Sequence, residues 1–395
     1  MTVSFDEYID RFGTACNKFD SIPKNGYPMD TIPMWVADMD FRAPDCVRDA
    51  LREAVEFGIF GYGLIDESYY EAVRGWFLRR HGWEVKREWM VHTPGSDTAL
   101  AATVRAATRE GDSVLLMPPV YYPFYDVIRL NNRRLVESPL TYENGRYELN
   151  FRDLEDKIRE NDVKLLLLCN PHNPVGRVWK EDELQRIGAL AEKYHLTVVS
   201  DELHSDFSYP GHPHTPFLKA CPNMENHTVV CTSASKSFNL AGLRTSNIFI
   251  PGRELRDAFK AKLEAAAIRE PNMLGVIASR AAYNGGESWF EECKTYIQGN
   301  LSYVRDYLRE NIPQIKLVEP ESTYVAWLDC TGLGLSKEQL DDLIMNKARI
   351  WLDTGSIFGE WSALCQRVVL ACPRSTVEKA MQRLKEAVAE LIPVG

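Results

Sequence analysis

What most limits the folds open to this chain is a recurring pattern of short apolar runs separated by helix-length segments. The runs fall at residues 90–93, 114–117, 134–137, 164–169, 196–200 and 228–232. The leucines of 165–168 and the Thr-Val-Val of 197–199 are apolar on both faces, the mark of a parallel sheet covered by helices on each side. Helical patterns lie between the runs, from Thr98 to about Arg109, near 151–160 and over 181–195. This order predicts an α/β doubly wound fold. From about Glu287 the rhythm changes to a long helix, short strands at 315–318, 324–328 and 367–371, and further helices. Capping boxes at Ser336-x-x-Gln339 and Ser375-x-x-Glu378 mark two helix starts there. The expected organisation is an N-terminal arm over 1–45, a large domain over 46–285 and a smaller α+β domain over 286–395.

Composition removes several classes of function. The 395 residues exceed what one core usually organises, and 45% hydrophobic with 26% charged residues is ordinary for a soluble globular protein. A net charge of −10 argues against nucleic acid or an anionic membrane surface as partner. The longest apolar run, 165–169, is too short to span a bilayer, and the acidic, aromatic N-terminus does not read as a signal peptide, so a cytoplasmic location is expected. Nine cysteines with no C-x-x-C spacing indicate neither a zinc site nor a disulfide framework. His212 and His214, with Pro213 between them and no acidic or cysteine partner nearby in sequence, read as a solvated loop, and no metal is expected. The chain lacks G-x-S-x-G, which removes a serine hydrolase. Gly61-Tyr-Gly63 lacks a third glycine and a preceding strand, which removes a dinucleotide fold.

In an open parallel sheet ligands bind beyond the carboxyl ends of the strands, so the residues just past each run carry the chemistry. After 164–169 comes Asn170-Pro-His-Asn173-Pro-Val-Gly, whose prolines fix a turn presenting the Asn173 amide. After 196–200 comes Asp201, and after 228–232 come Ser233, Ser235 and Lys236. A turn beyond Met117 holds Tyr121 and Tyr122. Pro94-Gly95-Ser96-Asp97 joins the strand at 90–93 to a helix, an arrangement in which free backbone N–H groups and the helix dipole favour an anion. Each residue has an ordinary alternative: a solvated lysine, an aspartate helix cap, a turn asparagine, a core tyrosine. Together they suit pyridoxal phosphate, whose aldehyde needs an amine and whose pyridine nitrogen needs a carboxylate. The amide serves the phenolic oxygen, an aromatic covers the ring, and the glycine turn takes the phosphate.

With TPG before a helix, NPHNPVG, SDE and S-x-S-K followed by an arginine, the chain resembles fold-type I pyridoxal-phosphate enzymes, the aminotransferase superfamily, over essentially its whole length. WVADMDF, GYG, PVYYPF, NPHNPVGRVW, SDELHSD and SKSFNLAGL are most similar to its cystathionine β-lyase (C–S lyase) branch. The resemblance implies a large domain with a mostly parallel sheet and a smaller α+β domain. It implies Lys236 as the Schiff-base lysine, Asp201 as partner of the pyridine nitrogen, Asn173 on the ring hydroxyl and Tyr121 stacked on the ring. It implies phosphate positions at Gly95, Ser96, Ser233, Ser235 and Arg244, and a Tyr62 that reaches the neighbouring subunit's cofactor in a homodimer. Arg374 is implied for the substrate carboxylate, with Tyr122 and Asn173 also facing the substrate. His204 stands where many aminotransferases have tyrosine, which favours the lyase branch, and Asp97 beside the phosphate turn departs from what a phosphate site wants. The implied activity is α,β-elimination on a sulfur amino acid. Transamination by the same residues is the alternative, and a regulatory member of the fold that binds a protein partner is a third reading.

Overall fold

The computed structural model describes residues 4–391, which divide into two compact units. One comprises residues 43–173 and 177–290; the other comprises residues 4–42, 174–176 and 291–391.

The first unit is built on seven strands: β1 (Met90–Thr93), β2 (Ser113–Leu116), β3 (Arg134–Glu137), β4 (Val163–Cys169), β5 (Thr197–Asp201), β6 (Thr228–Thr232) and β7 (Ser246–Phe249). They lie in the order β1-β7-β6-β5-β4-β2-β3. Strand β7 runs against both of its neighbours, and every other adjacent pair is parallel. The sheet is therefore mixed but mostly parallel, and its central strands are buried on both faces. Helices α1 (Asp45–Phe57), α2 (Glu67–His81), α3 (Ser96–Ala107), α4 (Pro123–Arg129) and α5 (Glu181–Lys193) flank it, with a single short turn, α6 (Ala234–Ser237), following β6.

Local sequence sets these boundaries. Asp66 caps α2 by accepting the Tyr69 N–H at 3.0 Å, and α1 ends on Gly58 in the left-handed region at φ 73°. Tyr69, Ala72, Val73, Trp76 and Phe77 recur at the spacing of one helix face, and all are buried. A fully buried side chain of the size of Trp76 or Phe77 contributes roughly 1.5–3 kcal/mol relative to exposure. Helix α3 begins at Ser96, two residues earlier than the sequence suggested, because Gly95 at φ 96° takes the cap position. Strand β7 was not anticipated: it is short and antiparallel, and Ser246-Asn-Ile-Phe249 carries no two-sided apolar run.

The second unit holds an antiparallel sheet of β8 (Lys316–Val318), β9 (Val325–Asp329), β10 (Asp353–Thr354) and β11 (Cys365–Val369), in the order β8-β9-β11-β10. Its long helices are α7 (Glu287–Asn311), all but the first four residues of which belong to this unit, and α8 (Arg374–Ala389), and Ile32–Pro33 of the N-terminal stretch pairs in parallel with Ile350–Trp351. The Ser336 capping box forms as expected. The one at Ser375 does not. Pro373 takes the cap position of α8, its fixed φ setting the extended entry, so Ser375 already lies inside the first turn.

Candidate active site

The carboxyl ends of β4, β5 and β6 lie side by side, with Cys169 in register with Asp201 and Asp201 in register with Cys231. The expected amide, carboxylate and amine therefore emerge from three adjacent strands.

Beyond β4 the turn is held tightly. The Asn170 N–H donates to the Asp201 carbonyl at 2.9 Å, the Trp179 indole N–H to the Cys169 carbonyl at 2.9 Å, and the Asn173 N–H to the Cys169 Sγ at 3.4 Å. His172 is fully buried, which pushes its pKa down to about 4 and leaves it neutral. Its Nε2 carries the proton and donates to the Pro119 carbonyl at 2.8 Å. This bond ties the turn presenting Asn173 to the turn presenting Tyr121 and Tyr122, whose rings lie 5.7 Å apart.

Beyond β5, Asp201 is buried, and one carboxylate oxygen accepts the Leu203 N–H at 3.2 Å. Burial is the main reason its pKa rises to about 7; the negative charge of Asp97 adds to the rise, and Lys236 opposes it. Asp97 thus bears on Asp201 through its charge. His204 is buried just beyond, at the start of the turn Ser205–Phe207.

Beyond β6, the Ser233 hydroxyl accepts the Ser235 N–H at 3.0 Å and donates to the Thr245 carbonyl at 2.7 Å. It thereby caps α6 and draws in the segment carrying Arg244. Lys236 sits on α6, half-buried. A Cβ added at Gly95 would lie 3.5 Å from an Arg244 guanidinium nitrogen, so the arginine rests against the glycine at the start of α3. The guanidinium thus rests against the turn that opens α3, where the first N–H groups have no partner within the helix.

Other expected residues belong to other segments. Tyr62 lies 92% exposed in the stretch between α1 and α2. Arg374 belongs to the second unit, where its Nε donates to the Asn300 amide oxygen at 2.8 Å and its guanidinium lies over the Tyr303 ring. His214 is not a solvated loop residue: it is buried and pairs at 3.1 Å with Glu202, an acid 12 positions away that proximity in sequence did not suggest. His212 is exposed, and among the described residues no cluster of three or more potential metal ligands occurs. No helix among the described residues is long and apolar enough to cross a membrane. Sequence reasoning also passed over His81, Glu202, Asp206 and Ser237. Asp206 lies in the SDELHSD segment, but its partner His81 is 125 positions away.

The residues fit pyridoxal phosphate on two structural grounds. A buried carboxylate with a raised pKa is best relieved by a cationic ring nitrogen, and the region where Arg244 rests on Gly95 suits a dianion. Amine, carboxylate and anion cradle at the strand ends of a mostly parallel sheet define an enzyme of the aminotransferase class. The aminotransferase class I and II family model matches residues 30–384, and the chain belongs to that family. It is similar to the cystathionine beta-lyase PatB of Bacillus subtilis, 39% identical over 98% of this chain and 100% of that protein. Among solved structures it is similar to a PLP-bound putative aminotransferase from Clostridium difficile, 39% identical with a TM-score of 0.95, covering 98% of this chain and 99% of that one. It is also similar to cystalysin from Treponema denticola, which contains pyridoxal 5'-phosphate, 34% identical with a TM-score of 0.96, covering 99% of this chain and 100% of that one.

Proposed function

We infer that this protein is a pyridoxal-phosphate-dependent C–S β-lyase that converts a sulfur amino acid to pyruvate, ammonia and a thiol. The observation that carries this reading is the full-length similarity to a cystathionine beta-lyase, joined to a site whose parts suit the cofactor. When bound, the cofactor supplies an aldehyde carbon and a protonated ring that takes up electrons from the substrate's α-carbon. Lys236 would hold the aldehyde through its amine, and its Nζ, once free, would take the α-proton. Asp201 would keep the ring nitrogen protonated, Asn173 would serve the ring oxygen, and Tyr121 would cover the ring face. Gly95, Ser96, Ser233, Ser235 and Arg244 would hold the phosphate, with His204 nearby. With the α-proton on Lys236 the C–S bond would break and the sulfur leave as thiolate, and one water would convert the remaining three-carbon enamine to pyruvate and ammonia.

Transamination uses these same residues, and the similarity to a putative aminotransferase keeps it in view. The test is pyruvate release from L-cystathionine by the purified protein with no keto acid present. Steady release supports the lyase; release only after a keto acid is added favours the aminotransferase.

For the substrate carboxylate the residue is Arg367, with Arg374 given a different task. The Arg374 Nε is held by Asn300, and its backbone N–H donates to the Tyr296 hydroxyl at 2.7 Å, contacts that pin the first turn of α8 to α7. Arg367 is buried on β11, donating at 2.9 Å to the carbonyl of Trp35, the first residue of the WVADMDF arm, and to Asp353. Burial raises the Asp353 pKa despite that arginine. Arg367→Lys is expected to raise KM on the order of tenfold or more with a smaller change in kcat, because the bidentate fork is lost. Arg374→Ala is expected to lower Tm and leave KM within about twofold. The reverse pattern assigns the carboxylate to Arg374.

A homodimer belongs to the same reading. Val55, Phe57, Ile59, Phe60, Tyr62 and Leu64 are each more than half exposed, a concentration of apolar surface that supports this reading. Light scattering is expected to give twice the chain mass, and Tyr62→Ala to weaken cofactor retention while the dimer persists. A monomer that retains cofactor fully would remove this part.

A further inference from the structure

Behind the ends of β5 and β6, in the first unit, lies a buried polar cluster that the chemistry above does not use. Asp206 is buried, and three groups donate to its carboxylate: His81 Nε2 at 2.9 Å, the Trp76 indole N–H at 3.2 Å to each oxygen, and the Ser237 hydroxyl. Burial alone would raise the Asp206 pKa, yet the bonds from His81 and Ser237 and the charges of His81 and Arg80 hold it below its ordinary value. His81 is the last residue of α2, and its carbonyl accepts from Lys219 at 2.8 Å. A second half of the cluster mirrors the first. Glu202 accepts from the Ser200 hydroxyl and the Phe217 N–H, each at 2.8 Å, and pairs with His214 at 3.1 Å. The rings of His81 and His214 meet edge to face, 5.3 Å between centroids.

The placement of these groups in the chain gives them meaning. Ser237 directly follows Lys236, and Glu202 directly follows Asp201. The turn α6 is four residues long, too short to hold its own geometry, and Ser233 secures only its first end. Ser237 secures the other. Burying two carboxylates and two histidines is costly, and apolar residues of similar volume would pack the same space at lower cost. What the polar cluster adds is fixed direction at the two residues that handle the cofactor.

We propose that Asp206, held by His81 and Trp76, is a positioning residue that aims Lys236 through Ser237, while Glu202 and His214 fix Asp201 from the same buried cluster. The proposal rests on the lyase reading and adds residues that act through Lys236 and Asp201 without touching substrate.

The test compares Ser237→Ala, Ser237→Thr and Asp206→Asn in the cofactor-loaded protein. Ser237→Ala removes one hydroxyl and is expected to retain the visible cofactor band and a Tm within a few degrees of wild type. Its kcat is expected to fall about tenfold with KM within about twofold, since small misplacement of a catalytic group falls on the chemical step. The circular dichroism of the visible band, which reports how the cofactor is held, is expected to weaken. Ser237→Thr keeps the hydroxyl and is expected to recover most of both signals. Adding Asp206→Asn to Ser237→Ala is expected to cost little more than Asp206→Asn alone, as for groups acting as a unit. If Ser237→Ala leaves kcat and the dichroism unchanged, the proposal is overturned. It is equally overturned if Tm and kcat fall together while the dichroism stays fixed. Should Asp206→Asn fail to fold, the serine pair still decides. A wild-type protein with no visible band would instead overturn the cofactor reading itself.

Discussion

Lys236→Ala is expected to abolish pyruvate release from L-cystathionine, lowering turnover by roughly four orders of magnitude or more, while leaving Tm close to wild type. The size follows from the two tasks that meet at one atom. On the proposed reading the Nζ would be both the nucleophile that anchors the aldehyde and the base that takes the α-proton. The half-buried position at the end of β6 is not a packing position, so truncation leaves no large cavity. The reconstituted variant is also expected to lack the visible band of the lysine-bound cofactor. Lys236→Arg does not rescue, because a guanidinium stays protonated at any working pH and cannot take the proton. A variant that keeps both the band and the turnover would move the chemistry to another residue.

The strand ends were readable because the information is local. NPHNPVG, SDE and SASK each follow an apolar run directly, and a parallel sheet gathers such ends without any further instruction. Sequence is less informative where non-local partners decide. Strand β7 pairs with β1 and β6, and it is these partners, not its own four residues, that make it a strand. His214 looks like part of a proline-rich loop until the fold delivers Glu202 to it. Arg374 ends ACPR, and its partners Asn300 and Tyr296 lie more than 70 positions away, beyond what a local motif can announce. Likewise nothing local to Ser237 announces Asp206, which accepts its hydroxyl, or His81 beyond it.

Asp201→Asn carries the second large effect, and it can be read in stability as well as in rate. The carboxyl has a pKa near 3.8 in an unfolded chain and about 7 in the folded one, chiefly because burial disfavours its charged form. Between those values the folded protein holds a proton that the unfolded chain has lost. Folding stability of the cofactor-free protein therefore falls as pH rises from about 4 to about 7, by an amount on the order of 4 kcal/mol at most. Asparagine has no proton to lose, so the cofactor-free Asp201→Asn protein is expected to lack this slope and to be the more stable of the two at pH 8. A protonated ring nitrogen held at Asp201 would reverse the balance. It favours the carboxylate, so loading the wild-type protein is expected to remove the slope, and loading the variant to change its pH dependence little. The loaded variant is expected to turn over roughly a thousandfold more slowly, because a neutral amide does not hold the ring in its electron-accepting form. Parallel thermal melts of both proteins across pH 4–8, with and without cofactor, check each of these steps. Identical pH dependence in the two cofactor-free proteins would mean that the Asp201 carboxylate is solvated, and that its pairing with the ring is not what the site is built around.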